Sequence, residues 1–159
     1  MRPPRLLSVV LTLAWGLWFG GLVTLFIAVT SLFNTFAPDR SLAGTAAAGV
    51  FRRFELYQFA LAAVAVIAAV ALRAAAGGGT TAGRRRTVVL STVVLAAGLS
   101  LVSTFVVTAR IDVMRRARQT ETPEFARLHG ISMTVYLAEA VLLLAAGLAL
   151  PGATAPPEK

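Results

Sequence analysis

The chain contains no cysteine, a single histidine and a single lysine, and only 14% of its residues are charged. The missing cysteine removes disulfides, thiolate nucleophiles, iron–sulfur clusters and Cys-ligated zinc together. The scarcity of charge is just as restrictive, because soluble domains run at about 25% charged residues. Also absent are a nucleophile elbow, a phosphate-cradling loop ending in lysine and an HExxH helix. Gly77-Gly78-Gly79 has no strand before it and runs into threonines and arginines, which is linker composition. The expectation is therefore a non-enzymatic protein without a cofactor.

What is present is apolar surface. Of the 159 residues, 57% are hydrophobic, and the mean hydropathy is +0.78. One aqueous core of this size cannot hide that much apolar area, which excludes a typical soluble domain as well as disorder. The formal charge of +8 would, on a soluble surface, raise nucleic acid as a partner. Here the basic residues stand in short clusters between long apolar runs, where positive charge has a topological use, so the expected partner is the lipid bilayer and not nucleic acid. Lys159 is the only lysine among 15 basic residues. That arginine bias fits a GC-rich bacterial genome, so the cell membrane expected for this multi-pass chain is a bacterial inner membrane.

Four runs set the architecture. They extend from Leu6 to Pro38, from Leu56 to Leu72 with Val50, Phe51 and Phe54 extending it, from Thr87 to Ala109, and from Ile131 to Leu150. Each approaches or exceeds the ~20 helical residues that a hydrocarbon core requires. They lack the alternation of a membrane barrel and are rich in alanine and leucine. The fold expected is all-α, a single-domain integral membrane bundle over residues 1–159 with spans near 6–33, 50–73, 87–110 and 125–150. The first run is too long for a signal peptide and carries Trp15, Trp18 and Phe19 where cleavage would fall, so it reads as a retained helix. Thr122-Pro123-Glu124 reads as a cap, a first-turn proline and a first-turn acid, which starts the last helix near Pro123. Pro151-Gly152 reads as its stop, with a frayed tail over 151–159.

The two membrane ends differ in their acids. Arg2, Arg5, Arg73, Arg84, Arg85, Arg86 and Lys159 share one end with Glu158 alone, whereas the other end carries Asp39, Glu55, Asp112, Glu121 and Glu124 among its arginines. Unpaired arginines next to short loops favour retention, so the termini are expected inside. Small residues recur every four positions in the first helix (Thr12, Gly16, Gly20, Thr24, Ala28) and in the third (Thr92, Ala96, Ser100, Thr104, Thr108). That spacing lets helix backbones approach closely in lipid. The Gly16 and Gly20 pair is expected to pack within the bundle, with a homodimer face as the alternative.

Glu139 is the only ionisable residue deep inside an apolar run. A charge there costs about 2.5–3.5 kcal/mol on insertion scales, so it must be neutral, paired or facing a wet cavity. His129, Ser132, Tyr136 and Glu139 fall along one helix face and form a polar stripe descending from the charged end. Arg110, Asp112, Arg52, Arg53 and Glu55 come to that same end. Three uses of the stripe stay open: an internal hydrogen-bond network, a path for a proton, ion or small solute, and metal or haem ligation by His129. One histidine with only Met133 and Met114 nearby makes an incomplete ligand set, so a dimer would have to supply the second His129.

Arg110-Ile111-Asp112-Val113-Met114-Arg115, followed by Phe125-Ala126-Arg127-Leu128-His129-Gly130-Ile131-Ser132, resembles the segment leading into the last helix of the transmembrane protein 205-like family. Trp15-Gly16-x-x-Phe19-Gly20 and Ala48-Gly49-x-Phe51 are similar to it as well. The resemblance spans roughly residues 6–150. It implies a four-helix membrane protein and brings no reaction, substrate or cofactor. By motif position it points to Arg110, Asp112, His129, Gly130 and Ser132, while Glu139 stands on its depth alone. The functional expectation is a transport-related or membrane-stress component, with a metal- or haem-binding bundle as the alternative.

Overall fold

The computed structural model describes residues 3–75 and 81–154. Its elements are α1 (Pro3–Thr35), α2 (Arg40–Ala74), α3 (Thr81–Val102), a π-helical segment (Ser103–Thr108), α4 (Ala109–Arg116) and α5 (Pro123–Thr154). There is no strand among the described residues. Because α3, the π segment and α4 run on without a break, they form one rod. Four rods, Pro4–Thr35, Arg40–Ala74, Thr81–Arg116 and Pro123–Thr154, are long and apolar enough to cross a membrane. At 1.5 Å per residue each is about 50 Å long, well beyond a hydrocarbon core of about 30 Å.

Local chemistry sets the boundaries, and several differ from the sequence expectation. α2 starts ten residues before position 50. Asp39 caps it by accepting the Leu42 N–H at 2.9 Å, and the alanine-rich stretch that follows favours helix and buries Ala43 and Ala47. α3 likewise starts at Thr81, so Arg84, Arg85 and Arg86 are its first turns and not loop residues. The stretch after position 110 stays helical to Arg116. A Schellman turn then ends α4: Gln119 N–H donates to Met114 O at 2.9 Å and Arg118 N–H to Arg115 O at 3.1 Å. Arg118 takes the left-handed position (φ 56°) that glycine normally fills.

α5 begins at Pro123, where the sequence placed it, with Thr122 Oγ1 accepting the Phe125 N–H at 3.2 Å. It does not stop at Pro151 but continues to Thr154. A proline so near the end deletes a single helical hydrogen bond, and Arg86 Nε ties the last turn down by donating to Ala153 O at 2.9 Å. The Gly77–Gly79 linker, the tail beyond Thr154, and the terminal Arg2 and Lys159 lie outside the described residues.

α1 packs on α2, α2 on α3, α3 on α5, and α5 back on α1, which closes a four-membered ring. Leu11, Trp18, Leu72, Val89, Val93 and Leu143 are among the side chains sealed inside. Two close approaches fasten the α1–α5 seam. The indole of Trp15 lies against Gly147, where any Cβ would collide with it, and its Nε1 donates to Leu143 O at 2.6 Å.

Candidate functional site

Among the described residues, five polar side chains are buried within the bundle: Glu55 and Gln58 on α2, Ser100 and Ser103 on the third rod, and Glu139 on α5. Glu139 sits at the middle of α5 with no exposed surface, opposite Trp18 at the middle of α1, and Trp18 Nε1 donates to Glu139 Oε1 at 2.9 Å. One turn before Glu139, Tyr136 presents its ring to Phe51 of α2, with centroids 5.5 Å apart. The Tyr136 hydroxyl faces Ser103 and comes within electrostatic reach of both Glu55 and Glu139. Glu55 in turn faces Thr104 and Thr108 of the π segment and comes within electrostatic reach of Asp112. Gln58 Nε2 donates to Ser100 Oγ.

These residues make a continuous polar column from the Trp18–Glu139 contact to the end of the bundle where Asp112 lies. Asp112 accepts from Arg115 at 3.1 Å and from Arg52 at 3.5 Å, so both guanidinium groups stop at the mouth. Six buried oxygens along the column have no hydrogen-bond partner: Glu55 Oε1, Gln58 Oε1, Ser103 Oγ, Thr104 Oγ1, Tyr136 OH and Glu139 Oε2. No buried nitrogen is in that position among the described residues. Unmade buried hydrogen bonds are costly, and a run of them is a reason to look for a ligand or a wet path.

The sequence-predicted residues divide. Glu139 and Asp112 belong to the column, at its deep end and its mouth. Arg110 does not; it pairs with Glu124 at 3.3 Å on the exposed rim. His129 and Gly130 are exposed and Ser132 and Tyr136 are half-buried, so the stripe along α5 is fully buried only at Glu139. The His129 ring stacks on Phe125 at 6.5 Å. No group of three or more His, Cys, Asp or Glu residues that could hold a metal ion occurs among the described residues. Gly16 and Gly20 do not pack inside the bundle, because a Cβ built on either meets nothing within 4 Å. They line a shallow outer groove with Thr24, Phe54 and Tyr57. The close α1–α2 contact is instead at Gly21, where an added Cβ would come within 3.0 Å of the Phe54 ring.

Glu55 and Gln58 are the residues that sequence reasoning missed. Glu55 was placed at the membrane edge because Arg52 and Arg53 precede it, but the early start of α2 carries it fifteen residues into the rod. Gln58, being uncharged, was absorbed into the second apolar run.

A four-rod helical bundle of membrane-crossing length with a polar, carboxylate-bearing interior is the class of protein defined here. The chain belongs to the family described as "Domain of unknown function (DUF4149)", whose sequence pattern matches residues 13–120. That match takes in Glu55, Gln58 and the π segment and ends before His129 and Glu139. Neither a curated protein nor a solved structure matches the chain.

Proposed function

We propose that the protein is a non-enzymatic, multi-pass component of the cell membrane, the inner membrane of a bacterium, with a transport-related or membrane-stress role in which its interior passes a proton or small cation. The observation that carries this reading is the pair of carboxylates, Glu139 and Glu55, set inside the bundle on α5 and α2 and connected by Tyr136. Carboxylates at such depth are costly to insert and characteristically mark ion and proton paths. The resemblance to the transmembrane protein 205-like family supports the four-span architecture and adds no substrate. The partner in this reading is the lipid bilayer, with a homodimer through the open Gly16–Gly20 face as an alternative. A nucleic-acid partner is not proposed.

Reconstitution into vesicles carrying an internal pH or cation indicator tests the reading. An imposed gradient should drive flux that Glu139→Gln abolishes, since the amide keeps an acceptor for Trp18 but cannot carry charge. Flux no faster than in protein-free vesicles would overturn it. The rival metal- or haem-bundle reading has less support, because His129 is exposed and engaged with Phe125. Detergent-purified protein should be colourless; a Soret band lost in His129→Ala would put the rival first.

A further inference from the structure

We propose that the π segment and the face of α2 opposite it form a binding site for one monovalent cation with the chemistry of sodium, held by the Glu55 carboxylate and the neutral oxygens of Gln58, Ser103 and Thr104. The proposal rests on the ion-path reading above and names where the ion is held.

The backbone supplies the first reason. α3 is regular through Val102, and the chain then widens, so that Ala109 N–H reaches back five residues to Thr104 O. A π turn disturbs the regular pairing of carbonyls with N–H groups, and such turns concentrate at functional positions. In membrane transporters, sodium is commonly coordinated where regular helix backbone is interrupted. Nothing in the sequence of the segment, Ser-Thr-Phe-Val-Val-Thr, forces a distortion, since it contains neither proline nor glycine.

The side chains supply the second. Ser103 and Gln58 have no exposed surface, and Ser103 Oγ, Thr104 Oγ1, Gln58 Oε1 and Glu55 Oε1 all lack partners. Gln58 commits its amide nitrogen to Ser100, which leaves its carbonyl oxygen as a bare acceptor. Glu55 and Gln58 are three residues apart on one helix and therefore present their oxygens side by side. The buried N–H donors Trp18 Nε1 and Gln58 Nε2 are used. Of the oxygens left over, Glu55 Oε1, Gln58 Oε1 and Glu139 Oε2 are carboxyl or carbonyl acceptors, while Ser103, Thr104 and Tyr136 are hydroxyls that can donate to them or turn a lone pair to a cation. The nearby guanidinium groups of Arg52 and Arg115 are engaged at Asp112. A cluster of hard oxygens with one carboxylate, whose nearest guanidinium is committed to Asp112, is matched by a cation of single charge. Divalent ions draw on more carboxylates, and soft metals on sulfur or imidazole, neither of which is here. Tyr136, between Ser103 and Glu139, links this site to the deeper acid.

The test uses the full chain in detergent, with radioactive sodium binding and thermal unfolding measured at fixed ionic strength, choline replacing sodium. Wild type should bind about one sodium per chain saturably and unfold at a higher temperature in sodium than in choline. Ser103→Ala and Thr104→Val should each weaken binding about tenfold, Glu55→Gln should abolish it, and His129→Ala should leave it unchanged. Should Glu55→Gln fail to fold, the two hydroxyl variants decide. Absence of saturable binding, or binding that ignores all of these substitutions, overturns the site. Loss of flux without loss of binding would instead count against the path, and flux without binding against the site alone.

Discussion

The two halves of the bundle are built from different chemistry. Toward the ends of α2 and α5 the interior is alanine, valine and leucine: Ala65, Ala68, Ala69, Leu72, Val89, Val93, Leu143, Ala146 and Leu150 are all buried. The rim there is basic, and its arginines are used. Arg86 donates to Leu72 O at 3.2 Å and to Ala153 O at 2.9 Å, bridging the C-terminal ends of α2 and α5, where unpaired carbonyls gather. Arg73 Nε donates to Thr87 Oγ1 at 2.8 Å. In the other half, Glu55, Gln58, Ser103 and Glu139 replace that apolar filling, and several of their atoms have no partner. Small side chains in the dry half let backbones close tightly, which is the main source of helix association in lipid. The dry half therefore holds the bundle together, and the polar half, relieved of that task, can be built for an ion.

If that division is right, the costliest single change lies on the dry side of Trp18. Gly147→Val puts branched carbon into the Trp15 indole and displaces its donor from Leu143 O. Overpacking of this kind costs about 1–3 kcal/mol and the lost hydrogen bond about 1 more. Thermal unfolding in detergent should show the midpoint fall sharply while residual folded protein still binds sodium. A near-neutral result would mean that the α1–α5 seam is not what holds the ring.

The matching change on the polar side should behave differently. Trp18→Phe strands a buried carboxylate oxygen and should cost about 1–3 kcal/mol. Adding Glu139→Leu removes the group that was stranded, so the double variant should recover most of that loss. Recovery would show that Glu139 is kept for a reason other than stability. A double variant no more stable than Trp18→Phe would make the polar column structural and erase the contrast between the halves. Arg86→Met comes next in size: it frees two carbonyls at helix ends that water can partly reach, for about 1–2 kcal/mol.

How much of this was legible depends on what each residue shows to a linear reading. The four rods follow from apolar runs whose length a bilayer fixes, and Glu139 stands out because a lone acid interrupts such a run. Glu55 is buried too, if less completely, but hides behind Arg52 and Arg53, which look like a membrane boundary. Arg52 instead sends its guanidinium out to Asp112 with 69% of its side chain exposed, so the helix passes beneath it. The start of α2 was misplaced for a related reason: Arg40 to Gly49 is too mixed to read as a span, yet a capped, alanine-rich stretch is good helix wherever a neighbour covers one face. The Ser/Thr row of the third helix was visible at four-residue spacing, but the π turn that rotates it against Glu55 has no sequence signal. His129-Gly130-Ile131-Ser132 stands out through the family resemblance; His129 and Gly130 lie on the exposed surface and Ser132 is half-buried.

The smallest effect should come from the turn at the mouth of the polar half, and its sign is opposite. Arg118 holds a left-handed backbone at φ 56° to close the Schellman turn after α4. A side chain in that conformation costs roughly 1–2 kcal/mol that glycine avoids, against roughly 0.5–1 kcal/mol of extra chain entropy lost by glycine on folding. Arg118→Gly should therefore stabilise by about 0.5–1 kcal/mol, read as a small rise in unfolding midpoint. Because the Arg118 side chain takes no part in the ion pairs of Asp112, sodium binding and flux should stay at wild-type levels. A gain in stability accompanied by loss of flux would mean that strain in this turn is coupled to the column, and the polar half would then have to be treated as a moving part rather than a fixed lining.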